Sequence, residues 1–188
     1  MIYKNLNLEY SIVTFPRVGS YYLQDRILQH TGVYVKKYHN IKNNKMITIA
    51  RDPADSLASK LAMSVFYDKS DEIIQDIRNN KITKDVEEYF DGAKNVYPSK
   101  DFYAIVDYRD LMEHPLETTM ALADIMNLTI TAKEYKENSI KEKPEISHLV
   151  SSKKVDEYKE IKDYVEKLDL SLLYNFYNKA IAHSIKIV

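Results

Sequence analysis

The chain has 188 residues, enough for one domain with a buried core, and a formal net charge of −1. This near-neutral balance provides no overall positive field for nucleic acid, so any site for an anion has to be local. The chain contains no cysteine, which excludes disulfides and thiolate chemistry and fits a reducing cytoplasm. No run reaches the roughly 18 apolar residues of a membrane span, and residues 1–5 do not resemble a secretory leader. We therefore expect one cytoplasmic domain over residues 1–188.

The first predicted element is a strand over residues 10–15, which are apolar and rich in β-branched side chains. A helix is predicted to follow from about Ser20, with Leu23 and Ile27 on its buried face. Gly32 is a typical C-terminal cap for this helix. The pattern indicates a strand and a helix joined by one short turn.

A weaker strand is predicted at residues 33–35 and a clear one at residues 46–50. Asp52 and Pro53 come directly after the second of these. An aspartate followed by a proline is typical of an N-cap and the first position of a helix. The buried stripe of this helix is predicted to be Leu57, Leu61 and Val65.

The rest of the chain continues this alternation of strands and helices. Charged helical segments are predicted between 68 and 100, a third strong strand at 102–106, a helix from Pro115, an irregular stretch at 129–152, and two helices at about 154–167 and 170–183. The alternation predicts an α/β fold with a mostly parallel central sheet of about four or five strands and helices on both faces. Ligands of such sheets bind at the carboxyl ends of the strands.

A cationic turn follows the first predicted strand. Residues 16–23 read PRVGSYYL, with Arg17 two positions before Gly19 and the predicted helix opening at Ser20. No Gly-Lys pair occurs in the chain, so this turn is not a Walker A loop. An arginine beside the N–H groups of a helix N-terminus can nevertheless hold a phosphate or sulfate.

A second cationic turn follows the strand at 46–50. Arg51 ends that strand and offers a bidentate fork to a phosphate, and Ser59 comes eight residues later. Two turns into the helix, the Ser59 hydroxyl can add a donor from the same side. Two such sites in one domain indicate a ligand with an anionic group at each end.

The two turns resemble the binding motifs of sulfotransferases that use 3′-phosphoadenosine-5′-phosphosulfate (PAPS). Residues 16–23 are similar to the family's 5′-phosphosulfate loop, P-K/R-S-G-T-T-W-L. Arg51, the following Asp-Pro pair and Ser59 are similar to its 3′-phosphate motif. Residues 102–111 resemble the family's strand followed by Y-E-D-L, and residues 35–39 resemble its K-T-H segment. The resemblance covers residues 10–128 and implies a P-loop-like fold with three layers, α/β/α.

The resemblance implies transfer of a sulfuryl group from PAPS to a hydroxyl or amine, without a metal ion. The acceptor stays open among small molecules, sugars, lipids and peptide hydroxyls, and the product is 3′-phosphoadenosine-5′-phosphate (PAP). The implied catalytic set is Arg17, which stabilises the leaving phosphate, His39, the general base, and Ser59. The implied cofactor-binding set is Arg17, Val18, Gly19, Ser20, Tyr21, Tyr22, Arg51, Ser59, Tyr108, Ser152 and Lys153. The last two stand where the family has an R-K-G motif, which this chain lacks.

Two alternatives remain open. Val18 and Tyr21 replace loop residues that usually carry hydroxyls, so a sulfotransferase fold that binds without catalysing is one of them. The other is a small-molecule kinase, although its Gly-Lys-Ser/Thr turn is missing. His39 beside two lysines, taken without the resemblance, is a solvated loop histidine. Neither the acceptor nor the oligomeric state is predicted.

Overall fold

The described part of the chain is built on a parallel sheet. The structure is a computed structural model that describes residues 6–14, 19–38, 45–66, 71–96, 102–130 and 152–185. The strands are β1 (Leu6–Val13), β2 (Tyr34–Tyr38), β3 (Lys45–Ala50) and β4 (Phe102–Asp107), in the order β2-β1-β3-β4 with parallel pairing throughout. Every residue of β3 from Met46 to Ala50 is buried, as expected for a parallel strand covered on both faces.

Helices flank this sheet. They are α1 (Ser20–Thr31), α2 (Pro53–Phe66), α3 (Asp71–Arg78), α4 (Lys84–Val96), α5 (Tyr108–Glu113), α6 (Pro115–Ile125), α7 (Ser152–Val165) and α8 (Ser171–Ala182). One group consists of α1 and α6, which pack on each other and on β2 and β4 respectively. In a second group α2 packs against α3, α4 and α7, while α8 contacts both β3 and β4. This is the α/β, P-loop-like architecture that the sequence predicts.

Local sequence signals account for the element ends. Gly32 takes a left-handed conformation with a φ of 69°, and its N–H donates to Leu28 O at 2.9 Å, so it caps α1 as predicted. Pro53 opens α2, and Asp52 Oδ1 accepts the N–H of Asp55 at 3.1 Å. The first strand starts earlier than predicted, at Leu6, and the two C-terminal helices lie within a few residues of their predicted bounds.

The main hydrophobic core joins the sheet to both the middle and the C-terminal helices. Its largest fully buried members include Ile12, Ile47, Leu57, Leu122 and Ile161. Leu116 and Met120 of α6 are instead substantially exposed, because α6 turns Thr118, Thr119, Leu122 and Ala123 inward. Among the described helices, none has both the length and the apolar character needed to cross a bilayer.

One histidine lies inside α1. The side chain of His30 is 7% exposed, and burial together with the positive charge of Arg26 lowers the pKa of His30 below its ordinary value. The folded protein therefore prefers a neutral His30, whereas the unfolded chain takes up the proton near the ordinary pKa of about 6.5. Stability from this group is present above that pH and is lost as the pH falls below it.

We therefore predict that replacing His30 by glutamine weakens the pH dependence of unfolding. Urea denaturation between about pH 7.5 and about pH 5.5 should show a smaller loss of unfolding free energy in His30→Gln than in the wild type. The exposed His183 is the matched control, and His183→Gln should keep the wild-type slope. An unchanged slope in His30→Gln would assign the pH dependence to other groups.

Candidate functional site at the carboxyl edge of the sheet

Three helices begin at the carboxyl edge of the sheet. α1 follows β1 and begins after Gly19, α2 follows β3 after Asp52, and α5 follows β4 after Asp107. Ala50 and Asp107 are register partners in the β3–β4 pair. The residues that follow them, Arg51 and Tyr108, therefore leave neighbouring strands at the same level.

The ring of Tyr108 lies close to Gly19, the residue that directly precedes α1. Gly19 has a φ of 85°, and a Cβ atom built on it would lie 2.8 Å from Cε2 of Tyr108. Both the backbone conformation and the close approach require glycine at this position. Because β3 lies between β1 and β4 in the sheet, this contact joins the start of the helix that follows β1 to the residue that follows β4.

The same ring lies under the Arg51 guanidinium. The distance from Arg51 Cζ to the ring centroid of Tyr108 is 4.4 Å, which is a cation–π contact. Arg51 and Tyr108 are both half-buried, so the charge is held in place while remaining in reach of solvent. Gly19 and Arg51, one residue from each predicted anion site, thus both lie against the same aromatic side chain.

A buried tyrosine of α4 supports the start of α2. The Tyr89 hydroxyl donates to the carbonyl oxygen of Pro53 over 3.5 Å. Burial raises the pKa of Tyr89 well above its usual range, so its hydroxyl keeps the proton. Ser59 lies farther along the same helix, almost completely buried at 6% exposure.

The helix N-termini at this edge differ in charge. α2 begins at the carboxylate of Asp52, and α5 is capped by Asp107, which accepts the N–H of Arg109 at 2.8 Å. α1 has a glycine at its N-cap and no acidic residue in its first turn. The positive end of the α1 dipole is therefore the one that no carboxylate of its own cap or first turn offsets.

Both capping carboxylates have a second partner. Asp52 accepts the Tyr174 hydroxyl of α8 at 3.3 Å on Oδ2 and 3.4 Å on Oδ1. Asp107 faces Nη2 of Arg109 at 3.4 Å. Each of these two carboxylates therefore has a hydrogen-bond or charge partner at the sheet edge where the half-buried Arg51 lies.

Tyr21 and Tyr22 place their side chains in different surroundings. The Tyr22 hydroxyl accepts a hydrogen bond from Nη2 of Arg26 at 2.6 Å, and the ring packs against the core. Tyr21 is 71% exposed, and the ammonium of Lys37 lies 3.5 Å from its ring centroid. This contact brings the end of β2 beside the first turn of α1.

Five predicted site residues either fall outside the described residues or lie far along α7 from its contact with α2. Arg17, Val18 and His39 fall outside the described residues. Ser152 and Lys153 open α7, whereas it is the other end of α7 that reaches α2, where Lys162 Nζ lies 3.6 Å from Asp55 Oδ1. A rise of about 1.5 Å per residue puts Ser152 about 15 Å along the helix axis from that pair. The assignments of these five residues, like those of the other predicted site residues, stay predictions.

Tyr174 and Tyr89 are the residues of this edge that sequence reasoning missed. Tyr174 is 122 positions away from its partner Asp52 in the chain. The sequence has 16 tyrosines, and no motif or spacing distinguishes these two from the others. Within the described ranges, no group of three histidine, aspartate or glutamate side chains is arranged to hold a metal ion.

Comparison with known families agrees with this architecture. A family model for the sulfotransferase domain matches residues 24–167, which is well over half of the chain. The protein therefore belongs to the sulfotransferase family. The matched region includes Arg51, Ser59 and Tyr108 and begins just after the turn that contains Gly19. A search of curated proteins finds no match to the chain.

The Gly19–Tyr108 contact predicts a difference between two glycine substitutions. Gly32 also has a positive φ, but a Cβ atom there would meet nothing within 4 Å, so Gly32→Ala should cost only about 1 kcal/mol of backbone strain. Gly19→Ala should cost clearly more, because the ring of Tyr108 must also move. Urea denaturation of both variants measures the difference.

A double-mutant cycle isolates the ring contact. In a Tyr108→Ala background, Gly19→Ala should cost no more than Gly32→Ala, since the obstructing ring is absent. If the cost of Gly19→Ala is the same with and without the ring, the contact does not account for it.

Proposed function

We propose that this protein transfers a sulfuryl group from PAPS to a hydroxyl or amine of an acceptor. The observation that supports this most directly is the position of the Tyr108 ring, which touches Gly19 and stacks under Arg51. A ligand with anionic groups at both ends can bridge the N-terminus of α1 and the Arg51 guanidinium. PAPS is a ligand of this kind, and membership of the sulfotransferase family favours it over other ligands with two anionic ends.

The start of α1 is the proposed 5′-phosphosulfate site. Arg17 and the N–H groups of Val18, Gly19, Ser20 and Tyr21 are its proposed donors. The absence of a carboxylate from the first turn of α1 supports this assignment, because an anion bound there meets no like charge from that turn. Each donor aimed at the departing oxygen is worth on the order of 10²–10³ in rate.

Arg51 and Ser59 are the proposed anchors of the 3′-phosphate. The cation–π contact with Tyr108 holds the Arg51 guanidinium in one orientation, which reduces the side-chain entropy lost on binding. Tyr108 and Tyr22 are the proposed contacts of the adenine. Because the Tyr22 hydroxyl already binds Arg26, its proposed contribution is the ring.

In the proposed reaction the sulfur–oxygen bond to the 5′-phosphate breaks, and a bond from sulfur to the acceptor oxygen or nitrogen forms. His39 accepts the acceptor proton, which typically contributes a factor of 10²–10⁴. The electron pair of the broken bond stays on the phosphate oxygen of PAP, and Arg17 stabilises that charge. An arginine suits this electrostatic role because its guanidinium keeps its proton at any physiological pH.

The first prediction from this proposal concerns Arg51. PAP should raise the melting temperature of the wild type, because a ligand that binds only the folded state stabilises it. Arg51→Ala should weaken PAP binding by about 10- to 100-fold, the usual range for losing hydrogen bonds to a charged group, and leave AMP binding almost unchanged. Titration calorimetry with PAP and AMP measures both affinities.

Arg78→Ala is the matched control for Arg51→Ala. Arg78 is an exposed arginine on α3 that pairs with Glu160 at 2.8 Å, and its loss should leave both affinities at wild-type values. Equal weakening of PAP and AMP in Arg51→Ala would contradict the 3′-phosphate role. Binding of ATP with Mg²⁺ but not of PAP by the wild type would favour the kinase alternative.

The second prediction concerns His39. His39→Ala should bind PAP within about twofold of the wild type and lose about 10²- to 10⁴-fold in turnover. Release of PAP from PAPS, measured over a panel of alcohols, phenols, sugars and amines, provides the rate. His114→Ala, which changes an exposed histidine at the start of α6, is the control and should keep full turnover.

Two results would count against this part of the proposal. Wild-type turnover in His39→Ala would show that another group accepts the proton. Weak PAP binding by the wild type together with no transfer to any acceptor class would favour the non-catalytic alternative.

A further inference from the structure

The C-terminal helix α8 reaches the start of α2 at the residue directly after Arg51. The Tyr174 hydroxyl donates to both oxygens of the Asp52 carboxylate, at 3.3 and 3.4 Å. Asp52 also accepts the N–H of Asp55, which is the cap of α2. One carboxylate thus ties α8 to the turn that presents the Arg51 guanidinium.

The negative charge of the Asp52 carboxylate disfavours the binding of an anion at Arg51. Asp52 lies next to Arg51 in the chain, so a phosphate bound by the guanidinium meets a negative charge on the neighbouring residue. Like charges a few ångströms apart at a half-buried position repel by roughly 1–4 kcal/mol before other groups respond. A hydroxyl that donates to the carboxylate offsets part of that repulsion and fixes where the charge lies.

We propose that Tyr174 is a positioning residue of the nucleotide site, and that it makes the site selective for a 3′-phosphate by holding the Asp52 carboxylate away from the ligand of Arg51. This inference rests on the proposed function, since it assigns the 3′-phosphate to Arg51. It gives the last helix, α8, a role in nucleotide binding that no sequence motif indicates.

The surroundings of Tyr174 fit this role. Burial and the negative charge of Asp52 raise the pKa of Tyr174, so its hydroxyl remains a donor at neutral pH. Tyr177 packs edge-on against the Tyr174 ring, with centroids 6.4 Å apart and planes at 80°, which helps to orient it. Asp55, the other carboxylate at the start of α2, faces Lys162 of α7 at 3.6 Å. Both C-terminal helices therefore offset negative charge at the start of α2.

Phenylalanine at position 174 tests the hydroxyl alone, because the ring and its packing remain. Tyr174→Phe should weaken binding of PAP about 3- to 10-fold, less than the direct loss of a hydrogen bond to a charged group because the effect reaches the ligand through Asp52, and change the affinity for AMP less than twofold. The two nucleotides differ in the 3′-phosphate, so their ratio reports on the Arg51 site specifically. Tyr103→Phe is the matched control, since the Tyr103 hydroxyl donates to the backbone of Ile125 at 3.1 Å and makes no described contact with Asp52.

Two further measurements separate charge from general support. The PAP penalty of Tyr174→Phe should shrink as salt rises from about 0.1 M to about 0.5 M, because salt partly screens the charge of the half-buried carboxylate. Asp52→Asn in the Tyr174→Phe background should restore PAP affinity, since it removes the charge and keeps an oxygen that can cap α2. A purely structural role for the hydroxyl predicts neither effect.

Each outcome decides the proposal. Equal loss of PAP and AMP affinity in Tyr174→Phe, or no loss at all, would overturn the positioning role while leaving the proposed function intact. Failure of the wild type to bind PAP would overturn the proposed function itself and this inference with it. If Tyr174→Phe does not fold, Asp52→Asn alone decides: PAP affinity at or above the wild-type value supports the proposal, and weaker binding of PAP but not AMP overturns it.

Discussion

The arrangement of the candidate site depends on the aromatic ring of Tyr108. This ring occupies the space that a side chain at position 19 would need, and it supports the Arg51 guanidinium at 4.4 Å. It therefore sets the spacing between the start of α1 and the only other anion site that the sequence predicts. The register of β3 and β4, in which Ala50 pairs with Asp107, is what brings Arg51 and Tyr108 to the same level.

Electrostatics at this edge work on a local scale. A chain with a net charge of −1 cannot attract a dianion through its overall field, so attraction has to come from individual groups. The helices that begin at this edge differ in whether an aspartate lies at their N-terminus. α2 and α5 begin with aspartates that bind their own backbone, whereas the first turn of α1 has no carboxylate. No carboxylate of its own cap or first turn therefore offsets the positive end of the α1 dipole.

The C-terminal helices α7 and α8 also contribute side-chain contacts at this edge of the sheet. Tyr174 binds Asp52 and Lys162 faces Asp55, so both carboxylates at the start of α2 have partners from the last third of the chain. Burial of Ile161 and Leu173 in the main core fixes α7 and α8 in position. A helix anchored by apolar packing can hold a polar contact at its end with little loss of entropy, which is why such contacts orient a site well.

By itself the sequence determined the elements and the family. Strand and helix ends follow from local chemistry, such as the glycine that caps α1 and the aspartate and proline that open α2. The motif that contains Arg51 and Ser59 resembles that of the sulfotransferase family, and the family match bears this resemblance out. Only the tertiary structure decided which side chains meet. Tyr174 and Asp52 are 122 positions apart, and their contact depends on how α8 packs against β3 and β4. Such contacts leave no local signal, because long-range packing is set by the whole core and not by neighbouring residues.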